Sequence, residues 1–320
     1  MLVLLTGSSG WLGRFLAPRL RTAGHRVVGL DVAPGPETHI VGSVADRTTV
    51  DRAFARGVEA VIHTGALHKP DIARYSAQAF VDVNVTGTLN LLEAAREAGH
   101  DRFVFTSTTS LMISQAIRDE AGDAAVWLDE SSGPLAPRNI YGVTKLAAES
   151  LCRLYAADHG LACVVLRTGR FFPEDDDTHR TPSGENLKAI ELLNRRLTVE
   201  DAADAHIAAL ERAPALGFDT FIVSASSPFR RTEARELKRD AAAVIARHFP
   251  DAPILFARRG WTLPTSLGRV YDTDYTEQRL GFRCRTSFAE VLDALRSGQE
   301  LPFAHDPTYL SPKEQRREAR

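Results

Sequence analysis

The sequence predicts an α/β protein whose main sheet is parallel and covered by helices on both faces. Short apolar segments alternate with longer amphipathic ones through the first half of the 320 residues. The apolar segments are hydrophobic throughout rather than at every second position, which is typical of strands buried on both faces. Two of the predicted helices also end at a glycine, Gly99 or Gly160, which is a common stop signal.

The first half of the chain supplies strands and helices in alternating order. The strands are expected at residues 2–5, 26–31, 58–64, 102–107 and 161–167. The helices are expected at residues 11–23, 46–56, 77–98 and 140–159. Because a helix rather than a tight hairpin follows each strand, neighbouring strands are expected to run parallel.

The pattern changes in the second half. Residues 171–185 are polar, with an acidic run from Glu174 to Asp177, and are predicted to be a loop or lid. A further strand is expected at 218–223, and helices at 199–212, 235–247 and 287–297. We therefore expect residues 1–168 to form the main domain, whose sheet continues into later segments. Residues 169–320 would form mainly a small C-terminal lobe interleaved with that domain.

Composition and charge narrow the class of protein. The chain is 44% hydrophobic and 25% charged, and its formal net charge is −2. A charge so close to zero gives no reason to expect nucleic acid or an anionic membrane as a partner. Residues 311–320 carry alternating charges and are expected to be a solvated or frayed tail.

The cysteines and the N-terminus point to an ordinary intracellular protein. Cys152, Cys163 and Cys284 are far apart and have no histidine at ligand spacing, so no metal site is predicted. The N-terminus has no leader-like pattern, and no apolar run approaches membrane-spanning length. The expected location is therefore the cytoplasm.

The first strand is followed by a glycine-rich turn with the sequence T-G-S-S-G-W-L-G. Gly7, Gly10 and Gly13 would allow a tight turn, close approach of the backbone to a pyrophosphate, and close packing of helix on strand. Trp11 and Leu12 begin the helix whose N-terminal N–H groups would face the phosphates. The pattern is typical of a Rossmann-type dinucleotide site, and the alternative is a glycine-rich turn without a ligand.

Asp31 lies at the end of the second predicted strand, in the sequence V-V-G-L-D. A carboxylate there can accept hydrogen bonds from the ribose hydroxyls of an adenosine and would repel a 2′-phosphate. The cofactor predicted from the turn and this acid is therefore NAD rather than NADP. The alternative interpretation is an aspartate that starts a turn before Pro34.

Tyr141 and Lys145 are four residues apart in the helix predicted at 140–159, and so share one face of it. A free phenol has a pKa near 10 and must lose about three units, roughly 4 kcal/mol, to act as a base near neutrality. A lysine beside it and a positive nicotinamide ring can supply much of that stabilisation. Hydroxyl groups also cluster from Thr106 to Ser110 at the end of the preceding strand, where one could bind a substrate oxygen.

Taken in order, these features resemble the extended short-chain dehydrogenase/reductases, the NAD-dependent epimerase/dehydratase family. The resemblance covers most of the chain and includes three further motifs. They are H-T-G-A from His63, D-V-N-V-T-G-T around Asn84, and V-E-D-A-A-D-A-H ending at His206. By this resemblance Asn84 supports the active-site lysine and the cofactor region. His206 is expected to pack or cap rather than to react.

The resemblance also implies roles for the residues named above. Thr108, Tyr141 and Lys145 would be catalytic, with Tyr141 as the general base and Lys145 also holding the nicotinamide ribose. Gly65 and Ala66 would join the glycine turn in binding NAD. The family usually forms dimers through a four-helix bundle, so a homodimer is expected through the helices predicted at 77–98 and 140–159.

Departures from the family pattern narrow the reaction. Dehydratases of the family carry an Asp-Glu pair after the catalytic threonine, whereas this chain has Thr109 and Ser110, so a sugar 4,6-dehydratase is not expected. Nucleotide-sugar epimerases usually have an asparagine after the strand ending near Arg167 and then a long lobe that grips the diphosphate. Here T-G-R-F-F follows, and the lobe before the next helix is short. The arginines that could still contribute are Arg170, Arg195, Arg230, Arg231, Arg258, Arg259 and Arg269.

Residues 111–138 form an unusually long connection between Thr108 and Tyr141. This segment is expected to be either a flap over the substrate, with Met112 and Trp127 as contacts, or a surface excursion.

The function predicted from the sequence is NAD-dependent oxidation of a secondary alcohol on a small polyol, sugar or sugar acid. One alternative is a nucleotide-sugar 4-epimerase that retains its NAD and would use the same residues. Another is a non-catalytic NAD(H)-binding sensor, which would not need a proton-transfer group at all three catalytic positions.

Overall fold

A computed structural model describes residues 1–174, 182 and 184–318 of the chain. Its strands are β1 Leu2–Thr6, β2 Arg26–Asp31, β3 Ile40–Val41, β4 Ala60–His63, β5 Phe103–Thr108, β6 Val126–Leu128, β7 Cys163–Thr168, β8 Phe218–Val223 and β9 Arg269–Tyr271. Its α-helices are α1 Trp11–Thr22, α2 Arg47–Phe54, α3 Ala77–Phe80, α4 Gly87–Glu97, α5 Gln115–Arg118, α6 Ile140–His159, α7 Gly184–Glu191, α8 Val199–Leu216, α9 Ala234–Arg239, α10 Ala241–His248, α11 Ala252–Arg258, α12 Phe288–Ser297 and α13 Pro312–Glu318. Within the described ranges, none of the helices combines the length and apolar character needed to cross a bilayer.

The main sheet has seven strands in the order β3-β2-β1-β4-β5-β7-β8, and every pair of neighbours is parallel. Going outward from β1, the sheet passes through β2 and β3 on one side and through β4, β5, β7 and β8 on the other. The strand order therefore reverses between β1 and β4. In sheets of this kind, ligands bind at the carboxyl edge beside that reversal.

Helices cover both faces of the main sheet. One layer contains α1 and α8, with Leu16 and Leu210 fully buried against the strands. The opposite layer contains α2, α4 and α6, with Leu91 and Ala148 among the fully buried residues. Each fully buried leucine contributes about 1.5–3 kcal/mol relative to an exposed one. The predicted doubly wound parallel sheet is confirmed.

The helix predicted at 77–98 is not regular. A π-helical stretch, Val81–Thr86, separates α3 from α4, and the three pieces run on without a break in the chain. Apolar periodicity does not reveal such a stretch, because one wider turn changes the pattern by a single residue. π-Helical turns are frequent at functional sites, and this one carries Asn84.

The C-terminal lobe has its own core. Helices α7 and α9–α12 enclose Phe256, Phe288 and Val291. The prediction of a single helix at 235–247 is wrong, because the helix is interrupted at Asp240. This residue caps α10 by accepting a hydrogen bond from the backbone N–H of Ala243. By contrast, α8 and β8 belong to the main sheet and its helical layer.

The loop predicted at 171–185 includes the first residues of α7. Its acidic residues Asp175, Asp176 and Asp177 lie outside the described residues.

Residues 111–138 are tied to the C-terminal lobe. Within them β6 pairs in parallel with β9, with Val126 opposite Arg269. Met112 packs in a small core with Leu128, and Trp127 packs against the core of the lobe. Neither residue lines the cavity described below, so the predicted substrate contacts of Met112 and Trp127 are wrong. The segment contributes Ile113, Arg118 and Arg138 to the cavity wall and pairs with the lobe through β6.

Candidate active site

A cavity of about 700 Å³ lies at the carboxyl edge of the main sheet. Its wall is formed by the turns after the strands, residues from the 111–138 segment, the lobe, and the chain at 309–314. The predicted site residues that line it are Gly7, Gly10, Trp11, Leu12, Gly13, Asp31, Gly65, Ala66, Thr108, Tyr141 and Lys145. Asn84 is the predicted site residue that does not reach the wall.

The glycine turn, residues 7–13, requires glycine at two places. Gly7 has a φ of +71°, and a Cβ there would lie 2.8 Å from the backbone nitrogen of Gly65. A Cβ on Gly13 would lie 2.2 Å from the carbonyl oxygen of Gly7, so α1 could not approach β1 as closely. Among the described residues, no side chain caps the start of α1 at Gly10, which leaves its first N–H groups available to an anion such as a pyrophosphate.

Asp31 is held at the rim of the cavity next to the glycine turn. Its carboxylate accepts hydrogen bonds from the backbone N–H groups of Ser9 (3.0 Å) and Ala33 (2.9 Å). Burial raises the pKa of Asp31, and these hydrogen bonds together with Lys313 oppose the shift. A ribose with free hydroxyls can donate to this carboxylate, whereas a 2′-phosphate would meet an acidic group.

Asn84 lies behind the cavity wall and connects two parts of it. Its amide nitrogen donates to the carbonyl oxygen of Leu67 at 3.0 Å and to Oγ1 of Thr144 at 3.1 Å. Its amide oxygen accepts from the backbone N–H of Leu67 at 2.8 Å. The asparagine therefore ties the chain that carries Gly65 and Ala66 to helix α6.

Tyr141 and Lys145 lie one turn apart on α6, and both side chains reach the cavity. The Lys145 ammonium donates to the carbonyl oxygen of Thr106 at 2.6 Å and lies 4.4 Å from the centre of the Phe105 ring. Burial lowers the pKa of Lys145 to about 7, and Glu149 opposes this shift. The lysine is thus anchored to β5. Because its pKa lies near 7, small changes in its surroundings can alter the fraction of Lys145 that is protonated at neutral pH.

The phenol of Tyr141 is protonated at neutral pH in the protein alone. Burial raises the pKa of Tyr141 to about 12, and hydrogen bonding with Thr108 opposes the shift. This direction is opposite to the one needed for a base, because burial and the negative charge of Asp71 together outweigh the hydrogen bond with Thr108. A base at this position requires a further positive charge close to the phenol.

Thr108 ends β5 beside Tyr141. Its Oγ1 accepts from the backbone N–H of Ser110 at 3.1 Å and lies 3.0 Å from the Ser110 hydroxyl. Thr109 donates its hydroxyl to the carbonyl oxygen of Thr168 at 3.3 Å. The two positions after Thr108 therefore carry hydroxyl groups that hold the strand end, and neither offers a carboxyl group.

His206 lies under the site and takes part in its framework. Its Nδ1 is 2.6 Å from the carbonyl oxygen of Ala202, and its Nε2 is 2.6 Å from the hydroxyl of Thr106. Since a carbonyl can only accept, Nδ1 carries the proton and Nε2 accepts from the threonine. Burial lowers the pKa of His206 to about 4, so the ring is neutral near pH 7. This position agrees with the expected packing role.

Sequence reasoning missed the part played by the C-terminal residues. Residues 311–314, expected to belong to a solvated tail, line the cavity instead. Lys313 forms an ion pair with the buried carboxylate of Asp71, and Tyr309 contacts the Trp11 ring edge-on at 5.1 Å between ring centres. Alternating charges give no sign of such packing, because both the ion pair and the ring contact join residues more than 200 positions apart.

Other cavity residues were also missed. His68 lies between Tyr141 and Phe172, with ring centres 5.9 Å and 5.7 Å away. Arg118 and Arg138 reach the cavity from the 111–138 segment, in place of the two contacts predicted there. Of the arginines named from the sequence, three line the cavity: Arg170, Arg195 and Arg269. The other four do not: Arg230, Arg231, Arg258 and Arg259.

This turn and tyrosine–lysine pair, joined at one edge of a Rossmann sheet, put the chain among the NAD-binding short-chain dehydrogenase/reductases. The sequence profile described as NAD dependent epimerase/dehydratase family matches residues 3–221, more than half of the chain. The chain belongs to this family. The predictions of the family, of an enzyme and of NAD as cofactor are confirmed.

Relatives in the family include both dehydrogenases and epimerases. The chain is 32% identical over 197 residues to an L-arabinose 1-dehydrogenase (NAD(P)(+)) of Haloferax volcanii, which covers 58% of this chain and 73% of the relative. It is 29% identical over 178 residues to a uronate dehydrogenase of Pseudomonas putida, with 54% and 62% covered. A UDP-glucose 4-epimerase of Streptomyces lividans is 28% identical over 339 residues, with 95% and 98% covered.

A solved structure has the same fold over its whole length. It is a short-chain dehydrogenase/reductase superfamily protein from Agrobacterium tumefaciens with bound NAD, which superposes with a TM-score of 0.66. The two sequences are 23% identical, and all of both chains is covered.

Proposed function

We propose that this protein is a dehydrogenase that oxidises a secondary alcohol of a small sugar, sugar acid or polyol with NAD. The observation that carries the proposal is the grouping of Tyr141, Thr108 and Lys145 in one cavity with the glycine turn. Bound NAD would supply the hydride acceptor and a positively charged nicotinamide ring. The substrate would lose a hydride from carbon and a proton from oxygen, leaving a carbonyl group.

Tyr141 would take the proton from the substrate hydroxyl. The charge of the bound cofactor would oppose the burial that raises the pKa of Tyr141. Thr108 would hold the substrate oxygen close to the phenol. Lys145, anchored to the carbonyl of Thr106, would hold the nicotinamide ribose and add positive charge beside Tyr141.

The remaining predicted residues would bind NAD. The glycine turn and the start of α1 would hold the pyrophosphate, and Asp31 would hold the adenosine ribose. Gly65 and Ala66 would form the wall beside the nicotinamide half, with Asn84 supporting them from behind. We assign cofactor binding to residues 1–168 and substrate binding mainly to residues 169–320.

The second candidate is a nucleotide-sugar 4-epimerase that regenerates its NAD. The near full-length match to the Streptomyces lividans epimerase favours it. The short chain between β7 and α8 argues against it, because little protein is available there to hold a diphosphate and a second nucleoside. We do not propose the non-catalytic sensor, because the family match supports an enzyme and NAD binding alone needs neither Thr108 nor Tyr141.

We also propose that the protein is a cytoplasmic homodimer built through α4 and α6. Val143 and Leu154, both on α6, are each 48% exposed, which is unusual for large apolar side chains on a packed helix. Light scattering at micromolar concentration should report a dimer. A monomer at that concentration would contradict this part of the proposal.

The experiment that tests the function is incubation with NAD and a panel of sugars, sugar acids, polyols and UDP-sugars. NADH formation is followed by near-ultraviolet absorbance, and products are separated by chromatography. Stoichiometric NADH formation with one substrate class establishes the dehydrogenase. Conversion of a UDP-sugar to its epimer without net NADH would establish the epimerase instead.

A further inference from the structure

A buried ion pair joins helix α6 to strand β7 beneath the site. The carboxylate of Glu149 accepts hydrogen bonds from Nε and Nη2 of Arg167, at 3.1 and 2.8 Å, and from the hydroxyl of Ser107 at 2.5 Å. The side chains of Arg167 and Glu149 are 6% and 7% exposed, and neither lines the cavity. Apolar side chains of similar size often stabilise a fold as well as a buried ion pair does, so stability alone does not account for charges at this place.

Helix α6 and strand β5 place Glu149 next to Lys145. The two residues are four positions apart on α6, so their side chains leave the same face of the helix one turn apart. The Lys145 ammonium donates to the carbonyl oxygen of Thr106 at 2.6 Å, and the Glu149 carboxylate accepts from the hydroxyl of the next residue, Ser107. An ammonium and a carboxylate are therefore fixed to consecutive residues of one strand.

Glu149 supplies a negative charge that favours the protonated form of Lys145. Burial lowers the pKa of Lys145 to about 7, and Glu149 gives the largest of the effects that raise it. Other titratable groups interact with the charge of Lys145 or lie one turn from it, and burial keeps them neutral near pH 7. It lowers the pKa of the imidazoles and raises the pKa of the thiol and of the phenol. These groups are His63 of β4, His68, His206 of α8, Cys152 and Tyr141. Arg167 of β7 is charged, and it is paired with Glu149 itself.

We propose that Glu149, held by Arg167 and Ser107, is a positioning residue that keeps the Lys145 ammonium protonated and fixed to β5 during the reaction. Three hydrogen bonds hold the carboxylate in place, so it does not turn toward Lys145 and draw the ammonium away from the cavity. When Lys145 holds the nicotinamide ribose, the positive ring disfavours the protonated lysine, and a fixed negative charge opposes that effect. This inference rests on the proposed function, because it concerns the same proton transfer.

The test is the pH dependence of turnover in variants that remove the charge of Glu149 and keep its shape. Glu149→Gln can still accept a hydrogen bond from Ser107 and loses the charge. Ser107→Ala removes one hydrogen bond to the carboxylate and keeps the charge, so it is the matched control. NADH formation is followed across the neutral and alkaline range. The alkaline limb of kcat/KM, where Lys145 loses its proton, should move down by about one pH unit in Glu149→Gln and stay in place in Ser107→Ala.

Two further variants keep the test decisive if Glu149→Gln does not fold, since loss of one partner of a buried ion pair is strongly destabilising. The double variant Glu149→Gln/Arg167→Met leaves no unpaired guanidinium, and its alkaline limb should move in the same direction because the carboxylate is still absent. Glu149→Asp keeps the charge one carbon further back, so its limb should lie between those of the wild type and the charge-free variants. Urea unfolding shows which variants are folded. An alkaline limb at the wild-type position in the folded variants overturns the inference.

Failure of the inference and failure of the proposed function give different results. Turnover with an unmoved alkaline limb overturns the inference and leaves the dehydrogenase intact. If no substrate gives NADH, the proposed function fails and the pH dependence of NAD binding, measured by calorimetric titration, decides the inference. The affinity for NAD should fall as Lys145 loses its proton, at a lower pH in Glu149→Gln than in the wild type, and Lys145→Met should lack this fall. Coincident curves for the wild type and Glu149→Gln overturn the inference.

Discussion

At the glycine turn the cavity wall is mostly backbone, whereas another part of the wall is mostly charged side chain. This second part, the arginine cluster, consists of Arg118, Arg138, Arg170, Arg195, Arg196 and Arg269. The turn offers N–H groups and one acid, Asp31, all within the first 31 residues. The cluster draws on the 111–138 segment, the end of β7, the chain before α8, and β9. Recognition by backbone demands particular residues in one place, and recognition by charge demands only that distant side chains converge. A substitution should therefore affect cofactor and substrate separately, except where the two regions meet.

Tyr141 lies at that meeting point and should give the largest effect. Tyr141→Phe removes the proton acceptor and keeps the ring, so turnover should fall about 10²- to 10⁴-fold. NAD binding should be preserved. Steady-state NADH formation and a fluorescence titration with NAD measure the two properties. Tyr155→Phe, on the same helix and outside the cavity, is the control and should retain turnover. Equal losses in both variants would contradict the assigned role.

The second effect is on stability and concerns the histidines beneath the sheet edge. Burial lowers the pKa of His63 to about 3 and of His206 to about 4, while in the unfolded chain both titrate near 6.5. Below pH 6.5 the unfolded state binds protons that the folded state does not. The contribution of these two histidines to the free energy of unfolding is therefore fully present above pH 6.5, and it is lost progressively as the pH drops toward 4. Each histidine contributes up to about 1.4 kcal/mol per pH unit in that range.

Urea unfolding at pH 7, 6 and 5 measures this slope. His206→Gln can preserve both hydrogen bonds of the ring and should reduce the slope by the share of one histidine. His159→Gln changes an exposed side chain and should leave the slope unchanged. An unchanged slope in His206→Gln would show that this ring is not the buried neutral group described above.

The third effect is on the choice of cofactor. Asp31→Asn keeps the shape of the side chain and removes the charge that would repel a 2′-phosphate. The ratio of kcat/KM for NAD to that for NADP should fall by about tenfold, equivalent to about 1.4 kcal/mol. Asp51→Asn, at a half-exposed position of α2, is the control. A ratio that does not move would favour the simple turn interpretation of Asp31.

The smallest effect is expected at Lys313. Lys313→Met removes the ion pair with Asp71 and should loosen residues 309–314 from the cavity wall. The dissociation constant for NAD should rise several-fold, because a part of the wall is lost but none of the glycine turn is changed. Gln315→Ala alters an exposed side chain two residues on and should bind NAD as the wild type does. Calorimetric titration of both variants makes the comparison, and equal affinities would contradict the assigned contribution of Lys313.

The sequence predicts the parts of the site that are local patterns, as at the glycine turn, and misses the parts that distant segments build together, as at the arginine cluster. The glycine turn, Asp31 and the Tyr141–Lys145 pair are local patterns, and all of them line the cavity as expected. Residue types near Met112 suggested a substrate wall, but the side chains that reach the cavity are Arg118 and Arg138. Which side of a long connection faces inward depends on the pairing of β6 with β9, which joins residues more than 140 positions apart. Local patterns carry no information about such pairing.

The pairing of β6 with β9 also limits how such enzymes can be recombined. Three residues of the 111–138 segment run beside three residues of the lobe, Val126 opposite Arg269 and Leu128 opposite Tyr271. A chimera that imported only the segment from a relative would bring one half of a two-stranded sheet without its complement. Exchange of substrate preference between relatives should therefore succeed when both strands are transplanted together, as a single unit of design.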